Sequence, residues 1–508
     1  LAYLRKNAWK LGTPWAPELL WYARAVKVMK SRALNDRLSW RYYAAIHGFN
    51  ASQWAAVGEP STSAQRPPAA EQKTFWNQCQ HGSWYFLPWH RGYLMAFEKV
   101  VRDAMATLPG APTDWALPYW NYLDPGENKL PAEFAAPAWP DGTNDNPLFE
   151  TVRYGPDNNG VVFVELTGQY AVEETTALAE GQFVGADDGG SHGFGGPQTD
   201  AFTHSGGHHG MLESKPHDMV HVNVGGTQKS GLMSDPITAG LDPIFWLHHA
   251  NIDRLWEVWK RLPVAQGDPT SNKWKGGPPN RDFVMPLPGS AATWTFTRAI
   301  VENLAALDYS YDDLTAPAQP APAALRLETL GAKPEEALAM LQEVRTVPRT
   351  VEAVGASAVG LNLVGSSAHT QVALNREAAG RLVQSFAAMP QSAPNRVFLN
   401  LENVRAARDG AVLSVYVNLP AGADPASHPE FKAGSVALFG ARAASEPDGE
   451  HAGDGLTFSL DITPIVDRLH LAGGLGDAPL DVSIVSRAPI PADDKVTIGR
   501  VGVYRQQG

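Results

Sequence analysis

Tryptophan splits this chain in two. All 16 tryptophans lie at or before Trp294, and the remainder of the 508 residues carries none. Eleven of the 15 histidines and the single cysteine, Cys79, fall in the same first part. Large rings need a core wide enough to bury them, so an aromatic-rich body must be followed by one of different composition. Between them, residues 315–324 read TAPAQPAPAA, a semi-extended Pro/Ala linker. The expected division is 1–314, a linker at 315–325, and 326–508. One cysteine excludes an intrachain disulfide framework, and a chain of this length buries a core without one.

The first part reads as mainly helical. Apolar residues recur at helical spacing over 14–32, 38–49, 89–105 and 243–259. Pro88 precedes the third run, where its missing N–H costs nothing. Residues 181–210, rich in Gly, Asp and His, read as a loop, so His192, His204, His208 and His209 read as solvated. In the second part a short helix is expected at 334–343. β-rich runs follow at 397–401, 412–419, 436–439, 457–462, 482–485 and 496–504. Gly, Pro and Asp separate them at the spacing of a β-sandwich. No internal repeat is present.

Composition excludes several classes. Hydrophobic residues make up 44% of the chain, too many for low-complexity disorder. The net charge is −12, which argues against a general nucleic-acid binder. No stretch approaches the roughly 20 apolar residues of a membrane span. The sequence opens at Leu1 without Met, so processing or truncation is expected to have hidden any targeting signal, and a cytoplasmic and an exported protein read alike. A homo-oligomer is left open.

The histidines carry the chemistry. His217 and His221, in PHDMVHVNVGG, stand four residues apart, which on a helix puts both imidazoles on one face. His248 and His249 follow in LDPIFWLHHANIDRLWEVW, where only one of two neighbours can face the same metal. A second group holds His81 and His90, in CQHGSWYFLPWHRGYL, with His47 upstream in RYYAAIHGFN. Buried imidazoles amid aromatics need partners, and metal coordination supplies them. All-imidazole ligation suits copper, zinc, iron or nickel. The chain has no HExxH, and its core helices have no Glu-x-x-His pairs, which argues against a zinc peptidase and a carboxylate di-iron site.

These motifs resemble the type-3 copper proteins, specifically tyrosinases and polyphenol oxidases. HGSWYFLPWHRGYL is similar to the family's first copper motif, and PHDMVHVNVGG with DPIFWLHHANIDRLW to its second. LPYW at 117–120 and the pair Tyr309 and Tyr311 also fit, so the resemblance spans about residues 1–314. It implies a mainly α core, a helical bundle holding a dicopper site, followed by a β-rich, sandwich-like C-terminal domain. Two copper ions are implied, one on His47, His81 and His90, the other on His217, His221 and His249, with O2 as co-substrate. Small phenols are the implied partners, hydroxylated ortho to their oxygen or oxidised from o-diphenol to o-quinone. The alternatives are a catechol or o-aminophenol oxidase without the hydroxylase step, a hemocyanin-like oxygen carrier, and a dinuclear zinc hydrolase.

The resemblance also assigns neighbours. Glu213 corresponds to the family's buried glutamate, which holds a water near the second copper. Asp218 stands where tyrosinases often carry Asn, and either perturbs Glu213 or serves as the base itself. Plant catechol oxidases usually carry Phe thirteen residues before the last ligand. Here that residue is Pro236, which implies a more open site. Val222 and His248 are expected to border the substrate with Pro236. Cys79, in Cys-x-His, is expected to join His81 as a thioether that fixes its rotamer. Asp253 is expected to orient a histidine or Arg254, and Arg5 with the Tyr309 and Tyr311 pair to clasp the core. Residues 326–508, ending in VTIGRVGVYR, resemble the domain that covers the site in latent polyphenol oxidases. Cleavage near 315–324 or acid opening would then raise activity.

Overall fold

A computed structural model describes residues 3–162, 173, 175–186, 188–204, 207–289, 292–317, 323–344, 350–447, 453–476 and 478–507. Residues 318–322 of the expected linker lie outside these, as do 187, 205 and 206 of the expected loop. Five helices frame the site: α1 (Pro17–Ser31), α2 (Trp40–His47), α3 (Phe86–Ala106), α4 (Met219–Gly225) and α5 (Pro243–Trp259). Their starts follow from sequence. The Ser39 side chain accepts the Tyr42 N–H ahead of α2, and Asp242 accepts the Ile244 N–H ahead of α5, with Pro243 in the first turn. α3 and α5 cross in the centre, where Trp246 stacks on Phe97 with centroids 3.4 Å apart. Trp40 meets both rings edge-on.

The ends of the helical body are tied to α5. The strand Tyr3–Arg5 pairs in parallel with Tyr309–Tyr311. Asp253, one turn past His249, accepts Arg91 Nε at 2.5 Å, Arg5 Nη1 at 3.4 Å and the Tyr309 and Tyr311 hydroxyls at 2.6 Å. The clasp is as expected, but Arg254 is not the partner of Asp253. Its guanidinium reaches the carbonyls of Asp313 and Thr315 instead.

The second hydrophobic core is built on strands. These are β1 (Val351–Ser357), β2 (Leu361–Leu363), β3 (Gly365–Leu374), β4 (Arg396–Arg405), β5 (Val412–Val417), β6 (Lys432–Ala437), β7 (Leu456–Asp461), β8 (Leu480–Ile490) and β9 (Val496–Gln506). The order is β6-β5-β8-β3-β1-β9-β4-β7, all antiparallel, with β2 beside β9. Edge strands β6 and β7 return beside each other, so the expected β-rich C-terminal domain is one antiparallel sheet curled almost into a barrel. The helix expected at 334–343 is present as Pro334–Val344.

Candidate metal centre

Two buried groups of donor atoms lie in the helical body. One holds His47, Cys79, His81 and His90, the other His217, His221, His248 and His249; within each group one donor atom per residue lies within 4.8 Å of the others. His47 ends α2, His90 sits in the second turn of α3, and His81 lies in the loop before α3. His221 is on α4, and His217 on the helical turn that leads into it. The two groups adjoin, because the His249 ring stacks on that of His90 with centroids 4.3 Å apart and planes 7° apart. His248 lies against the rings of His221 at 4.8 Å and His217 at 5.3 Å, with Tyr122 at 5.5 Å.

The outer nitrogens explain which nitrogen faces inward. His47 Nδ1 donates to the Pro236 carbonyl at 2.8 Å, His90 Nδ1 to Phe86 at 2.8 Å and His221 Nδ1 to Met233 at 2.9 Å. Each bond fixes the tautomer and leaves Nε2 with a free lone pair. His217 Nε2, His249 Nδ1 and both nitrogens of His248 have no hydrogen-bond partner among the described residues. Burial holds His47, His81, His217, His248 and His249 well below the usual imidazole range, and pushes His90 and His221 down to about 3. Neutral imidazoles with unpartnered nitrogens are metal donors, so the residues fit a pair of copper ions.

Cys79 Sγ lies 2.9 Å from His47 Nε2, 3.5 Å from His90 Nε2, and 3.5 and 3.6 Å from the two nitrogens of His81. Near-equal distances to both His81 nitrogens face the sulfur toward the ring rather than toward one of them. Burial pushes the thiol up, so it stays protonated.

Glu213 and Asp218 are both buried. The Gly82 N–H donates to Glu213 Oε1 at 2.9 Å and Oε2 at 3.0 Å, which ties Glu213 to the residue after His81. Burial pushes its carboxyl up to about 8. Asp218 is also raised by burial, with His209 opposing. Its Oδ1 lies 2.9 Å from His217 Nδ1 and its Oδ2 2.6 Å from His209 Nδ1. The reading of all four loop histidines as solvated is therefore corrected. His192 and His209 are buried, and His204 and His208 are half-buried. Glycines let chain segments cross there, which spacing along the sequence cannot show.

The sheet domain adds a residue that the sequence did not single out. Phe439, two residues past β6, stacks on His221 at 4.2 Å and meets His217 and His81 edge-on at 5.6 and 5.9 Å. It packs with Met219 and Val222 of α4 and with Val412 and Ala437 of the sheet domain. Gly440, at φ +82°, turns the chain back directly after it. Beside the ring remains a void of about 10 Å³, bordered by His81, His204, His209 and Pro236, with room for about one water. Val222 packs on Phe439, Pro236 borders the void, and His248 lies beside His221 and His217. No signal in the sequence marks Phe439, since its place depends on docking of the sheet.

Residues 37–262 match the family model described as the common central domain of tyrosinase, and residues 350–506 match a domain of unknown function (DUF7868). The chain is 32% identical over 502 residues to the tyrosinase HcTyr1 of Hahella sp. (strain CCB-MM4), covering 96% of this chain and 97% of that one. A chloroplastic polyphenol oxidase of Malus domestica is 31% identical over 265 residues, 50% of this chain and 40% of its own. Among solved structures, latent apple tyrosinase covers 100% of this chain and 97% of its own at a TM-score of 0.62 and 22% identity, a likeness of fold. With full-length likeness and two imidazole groups fit for copper, the chain belongs to the tyrosinase family of phenol-oxidising dicopper proteins and carries a C-terminal sheet domain.

Proposed function

We propose that the protein uses O2 to hydroxylate monophenols at the ortho position and to oxidise o-diphenols to o-quinones. His47, His81 and His90 would hold one copper, and His217, His221 and His249 the other. The bound copper pair supplies two-electron redox chemistry and activates O2. The observation that carries the reading is the aromatic ring of Phe439, stacked at 4.2 Å on His221 between two buried imidazole groups. A phenol in that place lies over His221 and against Val222 and Pro236. Glu213, held on the Gly82 amide and raised to about 8, takes the hydroxyl proton once it is ionised, so hydroxylation should rise as pH approaches 8. Asp218 has both oxygens engaged by imidazoles and acts by orienting His217.

Residues 1–314 form the catalytic part, 315–325 the linker and 326–508 a lid that keeps the enzyme latent. Support comes from Phe439, which fills the phenol's place and leaves about 10 Å³ beside it. Cys79 and His81 join in a thioether. The Sγ–H and Cε1–H bonds break, an Sγ–Cε1 bond forms, and two electrons with two protons reduce O2 to hydrogen peroxide. The intact mass then falls about two units below that of the unmodified chain, and a chain of unreduced mass refutes the bond.

The test is metal analysis with oxygen uptake on a monophenol and on catechol. Two coppers per chain and quinone from both substrates, with a monophenol lag shortened by catechol, are expected. A second reading, diphenol oxidation alone, is favoured by the engaged oxygens of Asp218. Quinone from catechol only would establish it. Failure to bind copper, or no oxygen uptake with either substrate, would overturn both.

A further inference from the structure

Three of the copper-facing imidazoles lean on the backbone. His47, His90 and His221 donate from Nδ1 to carbonyls of Pro236, Phe86 and Met233, whose positions the fold fixes. His217 differs. Its Nδ1 rests on Asp218, a side chain that can rotate. A ligand oriented by a mobile carboxylate is only as fixed as that carboxylate.

The carboxylate is held from its other side. His209 Nδ1 donates to Asp218 Oδ2 at 2.6 Å while Oδ1 takes His217. The two bonds to different oxygens define the plane of the carboxylate and oppose its rotation. His209 is itself immobilised. Its ring lies between that of His81, 6.2 Å away, and that of Phe458 from the sheet domain, 6.3 Å away. Its carbonyl accepts His192 Nδ1 at 2.9 Å. Behind it Gly210 crosses Gly196 so closely that an added Cβ would stand 2.5 Å from the Gly196 nitrogen. Met211 and Leu212 then donate to the carbonyls of Gly193 and Phe194. The crossing of residues 209–212 over 192–196 is thus a rigid mount for one imidazole.

We propose that His209 is a positioning residue for the second copper: its N–H clamps Asp218, and Asp218 in turn sets the direction of His217 Nε2. His209 touches neither phenol nor copper in this role. The inference rests on the copper reading of the two groups and adds to it a residue outside both copper motifs.

The test compares two full-length variants. H209F keeps a ring against His81 and Phe458 but has no donor; H209N keeps a donor near the place of Nδ1 and loses the ring. Metal-free crystal structures report the Asp218–His217 contact, and chelator competition reports the affinity of the more weakly held copper. In H209F the contact is expected to be lost and that affinity to fall about 10- to 100-fold. In H209N the contact is expected to remain, with affinity within about threefold of the parent. Retention of the contact and affinity in H209F overturns the proposal and, with loss in H209N, makes the ring's packing the cause; equal loss in both variants also overturns it, since a retained donor would then not hold Asp218. If the parent binds no copper, the copper reading falls, and the metal-free structures still decide whether His209 holds Asp218.

Discussion

Replacing Phe439 by alanine in the full chain tests the lid directly. The ring is fully buried, stacked at 4.2 Å on His221 and edge-on to His217 and His81. Moving such a side chain into water costs about 1.5–3 kcal/mol, and its ring contacts add about 0.5–1.5 kcal/mol. A phenol that must displace it therefore meets a handicap of about 2–4.5 kcal/mol, or roughly 30- to 2,000-fold in apparent affinity. Because the ring competes with binding and not with the chemical step, the gain in F439A belongs in KM. Catechol oxidation followed by oxygen uptake should show kcat/KM up by that factor with kcat nearly unchanged. F439L, which still fills most of the space, should lie between. The variant should also unfold more easily, since a buried Phe cut to Ala costs about 3–5 kcal/mol. Equal copper loading must be verified in each protein. A kcat/KM ratio below about threefold, or a gain confined to kcat, would refute the argument that Phe439 occupies the substrate's place.

Three further outcomes follow from particular contacts. E213Q keeps an oxygen for the Gly82 N–H but loses the proton acceptor, so monophenol turnover should fall about 100-fold or more while catechol oxidation falls less; an equal fall in both would place Glu213 outside proton transfer. Asp409 is buried, accepts the Arg442 backbone N–H at 2.9 Å, and shares the Arg442 guanidinium with Asp235 and Glu446. Burial, with Asp235 nearby, pushes its carboxyl up to about 8. Its folded value lies above the unfolded one, so its stabilisation is present in acid and is lost as pH rises from about 4 through about 8. The thermal midpoint should drop over that window and the drop should flatten in D409N; an unchanged slope would contradict the assignment. D253A leaves Arg5 and Arg91 without their shared carboxylate and should cost about 3–5 kcal/mol, read by tryptophan fluorescence, which reports only the helical body; a cost below about 1 kcal/mol would show that the clasp does not hold it.

The helical body was legible because its signals are local. Asp242-Pro243 announces α5, and the bounds expected for that helix, 243–259, are those observed. Spacing sorted the histidines into two groups, because helices α2, α3, α4 and α5 carry His47, His90, His221 and the pair His248 and His249, while the choice of His249 came only from the resemblance. The strands β1, β2 and β3 were not foreseen. β3 reads GSSAHTQVAL, and only Val372 in it is buried, so no apolar alternation announces it. Closure of the sheet was hidden for a related reason. Strand spacing is the same in a sandwich and a curled sheet, and only the pairing of β9 with β1, β2 and β4 distinguishes them.

What could not be read is what depends on two segments meeting. Phe439 and His221 are joined by no periodicity, and their contact exists only because the sheet docks. That docking joins polar contacts to an apolar seat around Phe439. Arg396 meets the buried Glu180 at 3.0 Å, the Ser459 hydroxyl donates to the Gly190 carbonyl at 2.6 Å, and the Ser191 N–H donates to Gln506 at 2.9 Å. Polar interfaces inside a chain favour relative motion of their two sides, whereas an apolar seam would weld them. A lid must leave without unfolding either body, and each body here has its own hydrophobic core. Phe458 of the sheet domain lies against His209, the imidazole bonded to Asp218. On the proposed reading of the sheet domain as a lid, its departure would vacate the proposed phenol site and uncover the proposed mount of one copper ligand in a single movement.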